Sequence, residues 1–239
     1  MSKKAIVIGA SSGIGRELAI VLSKEGYEVG LTARREGKLK ELQASLPNPS
    51  YVKAMDIQQA DDARAKLAEL INEMGGMDLI ILNSGVGGDK SWEGEKSVIL
   101  TNIYGITALG NYAYHYFSEK GSGHIVGISS VASVRGMRQL PVYNASKAFL
   151  SSYMEGLHHD SVKRKRNITV CDARPGFVKT PMTAGNKSMP MLETAEGAAL
   201  DIYKRIIKGK KRVAYITRRW WWMAQLMKRM PGFIFYRNA

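Results

Sequence analysis

The chain has 239 residues, 45% of them hydrophobic and 23% charged, with a formal net charge of +14. That length and composition suit one packed α/β domain and exclude a low-complexity or fibrous chain. A lone cysteine, Cys171, excludes a disulfide framework and suits a reducing, cytoplasmic setting, and no apolar run approaches the ~20 residues of a membrane-spanning helix.

The charge is unevenly placed. No acidic residue follows Asp201, yet eleven Lys or Arg do, which leaves 24 basic and 21 acidic groups in residues 1–201, a balance of +3. The N-terminus runs directly into an apolar segment that ends in glycines, without the longer apolar core and cleavage site of a secretory signal.

Ala5-Ile6-Val7-Ile8 reads as a buried strand. Gly9-Ala10-Ser11-Ser12-Gly13-Ile14-Gly15 follows it, and Arg16 to Lys24 has a helical pattern. A strand, a glycine-rich turn and a helix start form a phosphate site. The glycines admit a pyrophosphate close to the backbone, and the helix end offers free N–H groups. The second strand, Glu28 to Thr32, ends in Ala33-Arg34-Arg35. An acid here would bond the ribose 2′-hydroxyl of NAD, whereas Arg34 and Arg35 suit the 2′-phosphate of NADP.

A helix over Gly37 to Leu46 is broken by Pro47-Asn48-Pro49. Tyr51 to Met55 is a third strand, capped by Asp56-Ile57. Gln59 to Met74 is helical, and Asp78 to Leu82 is a fourth strand ending in Asn83-Ser84-Gly85. This alternation predicts a doubly wound parallel sheet, a Rossmann-type α/β fold. Ligands of such sheets lie at the carboxyl ends of the strands, where Gly9, Arg34, Asp56 and Asn83 fall.

Lys96 to Glu119 reads as one long helix carrying Asn102 and several aromatics. Gly123 to Ile128 is a fifth strand ending in Ser129-Ser130. Pro141 to Arg166 is a helix that holds Tyr143 and Lys147 one turn apart on one face. A nearby ammonium should lower a phenol's pKa and let it exchange a proton with an alcohol or carbonyl oxygen. His158 and His159 have no companion ligand and read as structural, so no metal is expected. Ile168 to Ala173 is the sixth strand, leading into Arg174-Pro175-Gly176-Phe177-Val178-Lys179-Thr180. A loop to Leu192, a helix to about Ile207 and a short strand over Val213 to Ile216 complete the domain, predicted as 1–216.

Together these residues resemble the short-chain dehydrogenase/reductase family over roughly residues 4–216. The glycine loop resembles the family's cofactor loop, and Asn83-Ser84-Gly85 its Asn-Ala-Gly element. Ser130 stands thirteen residues before Tyr143, and Pro175-Gly176 with Val178 and Thr180 matches the nicotinamide segment. Ile8 departs from the usual Thr, and Ser84 and Ser133 replace small residues. The resemblance implies an NADP(H)-dependent carbonyl reductase. Tyr143 would be the general acid, Ser130 the oxyanion donor and Lys147 the residue that lowers the Tyr143 pKa and bonds the nicotinamide ribose. Asn102 would hold a water that reprotonates Lys147. The implied cofactor residues are Gly9, Ser11, Ser12, Gly13, Ile14, Gly15, Arg34, Arg35, Asp56, Ile57, Asn83, Ser84, Gly85, Tyr143, Lys147, Pro175, Gly176, Val178 and Thr180. A homodimer or homotetramer is implied, paired through helices 96–119 and 141–166. The alternative is an NADP(H)-binding scaffold or sensor without turnover; four intact catalytic residues argue against it.

The segment 217–239 falls outside the resemblance. On a helix over Arg218 to Met230, Trp220, Met223, Leu226, Met227 and Met230 share one face, and Arg218, Gln225, Lys228 and Arg229 the other. An amphipathic basic helix with Trp reads as a membrane-surface element, or as a helix packed on its own domain or a second subunit. Nucleic-acid binding is not expected, because the basic residues are confined to an apolar tail. Membrane contact would suit a lipophilic substrate such as a 3-oxoacyl, sterol or prenyl-type ketone. Met182, Met189 and Met191 would give the 181–192 loop an adaptable apolar character.

Overall fold

A computed structural model describes residues 2–184 and 191–238, with the side chains of 236–238 left aside. The first half alternates strictly. Strand β1 (Lys4–Ile8) leads to helix α1 (Gly13–Lys24), β2 (Glu28–Ala33) to α2 (Glu36–Ser45), and β3 (Ser50–Ala54) to α3 (Ala60–Glu73), before β4 (Leu79–Leu82). Then come α4 (Trp92–Val98), a π-helical stretch over Ile99–Gly105, α5 (Ile106–Lys120) and β5 (Ser122–Ile128). Helix α6 (Pro141–Lys163) precedes β6 (Asn167–Pro175) and the two-residue strands β7 (Val178–Lys179) and β8 (Glu193–Thr194). Helix α7 (Ala195–Ile202), a second π-helical stretch over Tyr203–Lys208, β9 (Val213–Ile216), α8 (Arg219–Arg229) and α9 (Gly232–Asn238) close the chain.

Among the described residues the main sheet has seven strands in the order β3-β2-β1-β4-β5-β6-β9, all neighbours parallel. The order reverses between β1 and β4, so a crevice opens beyond their carboxyl ends. Alternation along the strands builds a core on each face. Ala5, Val7, Leu79 and Ile81 join one cluster with Leu18, Leu22 and Ile202. Ile6, Ile8, Ile80 and Leu82 join the other with Leu67, Leu109 and Phe117. Phe117 is fully buried over Gly123, where any Cβ would collide with its ring. Truncating such a side chain costs about 3–5 kcal/mol.

Two predicted helices differ in detail. The helix expected over 96–119 starts at Trp92, where Ser91 caps it by accepting a bond from the Gly94 N–H at 3.0 Å, and is interrupted by a π-helical turn that contains Asn102. The helix expected to end at Arg166 ends at Lys163, because Lys165 turns into left-handed backbone with φ of 54°.

One partly buried histidine makes the fold sensitive to acid. His124 on β5 lies 3.4 Å from Cys171 Sγ, and burial, helped by Lys210, pushes its pKa down to about 4. The ring is neutral in the folded protein above that pH, while an unfolded chain takes up its proton near ~6.5. The stabilising effect of the neutral ring is present above pH 6.5 and is lost as pH falls through 4. We therefore expect His124→Gln to flatten the fall in unfolding free energy across this window, by up to about 1.4 kcal/mol per pH unit. Urea titrations at several pH values measure it. A slope identical to that of the unsubstituted protein contradicts the assignment.

Candidate functional site

The turn after β1 is built so that backbone approaches backbone. Gly9 has a φ of 90°, and its N–H and that of Ala10 both donate to the Thr32 carbonyl at 2.8 and 2.9 Å. Asn83, at the end of β4, donates to the Gly9 carbonyl at 3.0 Å. A Cβ on Gly15 would collide with that carbonyl and with the Asn83 amide, so only glycine allows the start of α1 to close on the turn. Ser12 stands at the N-cap of α1 but does not cap it. Its hydroxyl accepts from the Arg35 guanidinium at 2.9 Å, and Ser11 accepts from the same nitrogen at 2.8 Å. Arg34 points elsewhere, 3.9 Å from Asp56, with both groups open to solvent.

The second half of the site lies at the ends of β4, β5 and β6. Ser130 follows β5. Its Oγ accepts from the Ala132 N–H at 3.1 Å and donates to the Pro175 carbonyl at 3.4 Å, tying the ends of β5 and β6 together. Tyr143 sits in the first turn of α6, begun by Pro141, and Lys147 one turn later. Lys147 is 6% exposed and donates from Nζ to the Ile128 carbonyl at 3.0 Å. A Cβ on Gly85 would lie 3.3 Å from that Nζ, so Gly85 leaves the space in which the loop after β4 meets α6.

One cavity of about 530 Å³ joins the two halves. Its lining includes Gly9, Ser11, Ser12, Gly13, Ile14, Arg34, Arg35, Asp56, Ile57, Asn83, Ser84, Gly85, Ser130, Tyr143, Lys147, Pro175, Gly176, Val178 and Thr180. Of the residues singled out from sequence, Gly15 and Asn102 lie outside this lining. Gly15 acts through its contact with Gly9. Asn102 is buried, and its side chain is committed to others. Its Oδ1 accepts from the Val86 N–H at 2.9 Å, and its Nδ2 donates to the Val86 carbonyl and to Ser146 Oγ, each at 3.0 Å. It clamps the loop after β4 onto α6.

The electrostatics of the pair differ from what spacing alone led us to expect. Burial raises the Tyr143 pKa, and the opposing pull comes from the Ser130 hydroxyl, not from Lys147. The Lys147 ammonium is turned toward Ile128 and stands 5.8 Å from the Tyr143 ring centre. Burial pushes its own pKa down to about 8, against the attraction of Asp172. Asp172 is a buried carboxylate that sequence reading passed over, although a charge within the strand Val170-Cys171-Asp172-Ala173 was a visible signal. It accepts from Ser129 and, at 2.7 Å, from Arg174, which reaches Tyr215.

The C-terminal segment also reaches this end of the sheet. Trp220 and Ala224 on α8 are buried with Val131 and Tyr215, and Phe177, Val134 and Met191 pack around them. Trp220 meets Phe177 edge-on at 5.3 Å and fills the space a side chain at Gly176 would need. Arg135 donates to the Met227 carbonyl at 3.0 Å and to that of Met230, and its guanidinium lies 4.1 Å from the Phe235 ring centre. The loop after Ser130 and the loop after Pro175 are thus both held by the tail. The single apolar face expected from sequence is divided: Trp220 packs inward, while Met223 and Leu226 are exposed. Of the loop methionines, Met182 lines the cavity, Met191 packs beside Trp220, and Met189 lies outside the described residues.

A match to the family described as short chain dehydrogenase covers residues 3–190. The chain belongs to the short-chain dehydrogenase family of oxidoreductases. It is 37% identical over 223 residues to an uncharacterized oxidoreductase of Myxococcus xanthus, covering 89% of this chain and 87% of the relative. It is 30% identical over 196 residues to the 3-oxoacyl-[acyl-carrier-protein] reductase FabG of Staphylococcus aureus, covering 77% of each. Among solved structures, a short-chain dehydrogenase/reductase of Burkholderia phymatum in complex with NAD superposes with a TM-score of 0.86 at 21% identity, over 99% of this chain and 96% of that one. The seven-stranded order and the crevice at the strand ends are therefore those of a known fold.

Proposed function

We propose that the protein is an NADPH-dependent reductase that converts a lipophilic carbonyl compound to its alcohol. The observation that carries this reading is the shared cavity. One end bears a glycine turn with a guanidinium across it, and the other bears a hydroxyl, a phenol and a buried ammonium. The residues fit a nicotinamide dinucleotide. Gly9 and Gly15 leave the backbone open to a pyrophosphate at the start of α1. Arg35, braced by Ser11 and Ser12, would hold the 2′-phosphate of an adenosine ribose, with Arg34, Asp56 and Ile57 lining the same end of the cavity. Asn83, Ser84, Gly85, Pro175, Gly176, Val178 and Thr180 would hold the nicotinamide half.

When bound, the reduced cofactor supplies a hydride for the carbonyl carbon. The chain supplies the proton. The Tyr143 phenol carries its proton at neutral pH, and an alkoxide developing on the carbonyl oxygen is a stronger base than a phenolate even when burial raises the phenol's pKa, so the proton can pass to that oxygen. With a carbonyl bound, the Ser130 hydroxyl would turn from the Pro175 carbonyl and donate its hydrogen bond to the same oxygen. Lys147, held by Ile128 and drawn by Asp172, keeps a positive charge nearby and would bond the ribose of the cofactor. Because the Asn102 side chain is spent on Val86 and Ser146, any proton relay past Lys147 runs through main-chain groups and water. Met182, half exposed and packed over Gly87, together with Val86 and Pro181, gives the cavity an apolar wall that favours a lipophilic substrate. The similarity to a 3-oxoacyl reductase supports the same substrate class.

Two substitutions test the reading. Tyr143→Phe should lower kcat by about 10²–10⁴-fold while NADPH still binds, because only the acid is lost. NADPH fluorescence and turnover with a ketone panel measure both, and a rate within tenfold of the unsubstituted enzyme contradicts the role. Arg35→Asp should shift the ratio of kcat/KM for NADPH over NADH by at least about tenfold toward NADH, since an acid repels a 2′-phosphate and accepts from a free 2′-hydroxyl. A ratio unchanged by Arg35→Asp sinks the assignment of the phosphate to this arginine.

A further inference from the structure

The tail has two faces, and the domain uses one of them. Trp220, Ala224 and Phe235 are buried against the loops that follow Ser130 and Pro175. On a helix Trp222 lies about 200° around from Trp220, on the opposite side. There the side chains are open: Trp222 is 70% exposed, Leu226 54% and, on α9, Phe233 73%, with Trp221 and Met223 also exposed. This is a dense group of large apolar side chains within one short segment, beyond the isolated exposed residue that needs no explanation. Arg218, Arg219, Lys228 and Arg229 are exposed in the same segment, and no acidic residue follows Asp201.

We propose that the outer face of α8 and α9 docks on an anionic lipid bilayer. The chemistry selects this occupant over others. Exposed Trp and Phe flanked by cations suit the boundary between headgroups and acyl chains, where rings are buried and anionic phosphates meet Arg and Lys. A second copy of the same face would bring these cations against each other, because a twofold interface is self-complementary. A nucleic acid would leave Leu226 and Phe233 uncovered. Among the described residues no helix is long and apolar enough to cross a membrane, so the contact is peripheral. Trp220 touches Gly176 on the inner side of the same helix, so the bilayer would lie within about one helix diameter, ~10 Å, of the Pro175–Gly176 wall. Resting on the reductase reading, this places the site where a lipophilic carbonyl can enter from the acyl-chain region.

The test uses the full chain and vesicles of phosphatidylcholine, with or without an equal part of phosphatidylglycerol. The protein should sediment with the phosphatidylglycerol vesicles, more weakly in high salt, and hardly with phosphatidylcholine alone. The double variant Trp222→Ser, Phe233→Ser should bind at least about tenfold more weakly, because two apolar anchors are gone. Its melting temperature and its turnover of a water-soluble ketone should match those of the unsubstituted protein. No sedimentation of the unsubstituted protein overturns the proposal, as does binding that the double variant retains. Light scattering that shows a larger oligomer, dissociated by the same two substitutions, assigns the face to a second copy and also overturns it. If no carbonyl is reduced by either protein, the reductase reading fails while the sedimentation result still decides the docking.

Discussion

The Lys147 ammonium is buried at the carboxyl end of the sheet, and much of the site exists to hold it there. A buried cation costs several kcal/mol unless dipoles and opposite charge surround it. Here the Ile128 carbonyl accepts from it, the Asp172 carboxylate draws it, and Gly85 leaves it room. Ile128 ends β5, Asp172 lies within β6 and Gly85 follows β4, so the charge is accommodated only when β4, β5, β6 and α6 are in register. Asp172 in turn engages Ser129 and Arg174, and Arg174 engages Tyr215 on β9. One buried charge thus connects α6, which also carries Tyr143, to the far edge of the sheet.

What was legible in the sequence was local. Gly9, Gly13 and Gly15 act within a single turn, and Tyr143 and Lys147 within one turn of α6, so their spacing already states their geometry. The strand ends carrying Arg34, Asp56 and Asn83 were legible because apolar runs buried on both faces give way to polar residues there. The misses are long-range. Asn102 stood out as a polar residue in a mostly apolar helix, but its partners Val86 and Ser146 lie sixteen and forty-four residues away. Arg34 and Arg35 looked equivalent; only the fold shows that Arg35 reaches back to Ser11 and Ser12. The effect of Lys147 on Tyr143 was misjudged because spacing reports proximity and not burial, and burial dominates here. The tail's periodicity revealed an apolar face, but not that Trp220 would be taken by Gly176 and Phe177.

The tail matters to the site because it holds two loops at once. Arg135, five residues beyond Ser130, is fastened to the end of α8 and to Phe235. Gly176, beside Pro175, is covered by Trp220. These contacts fix the ends of β5 and β6, whose hydroxyl and carbonyl meet in the bond from Ser130 to Pro175. The positions of Ser130 and of the nicotinamide wall are thus set partly from outside the sheet.

The account rests on one cavity serving a phosphate-bearing cofactor at one end and a carbonyl at the other. A crystal structure of the protein grown with NADP⁺ tests this most directly. The account predicts the adenosine phosphate within hydrogen-bond distance of Arg35, the pyrophosphate at the start of α1, and the nicotinamide ring beside Tyr143 and Pro175–Gly176. A cofactor bound elsewhere, or one whose nicotinamide ring lies away from Tyr143, would contradict it.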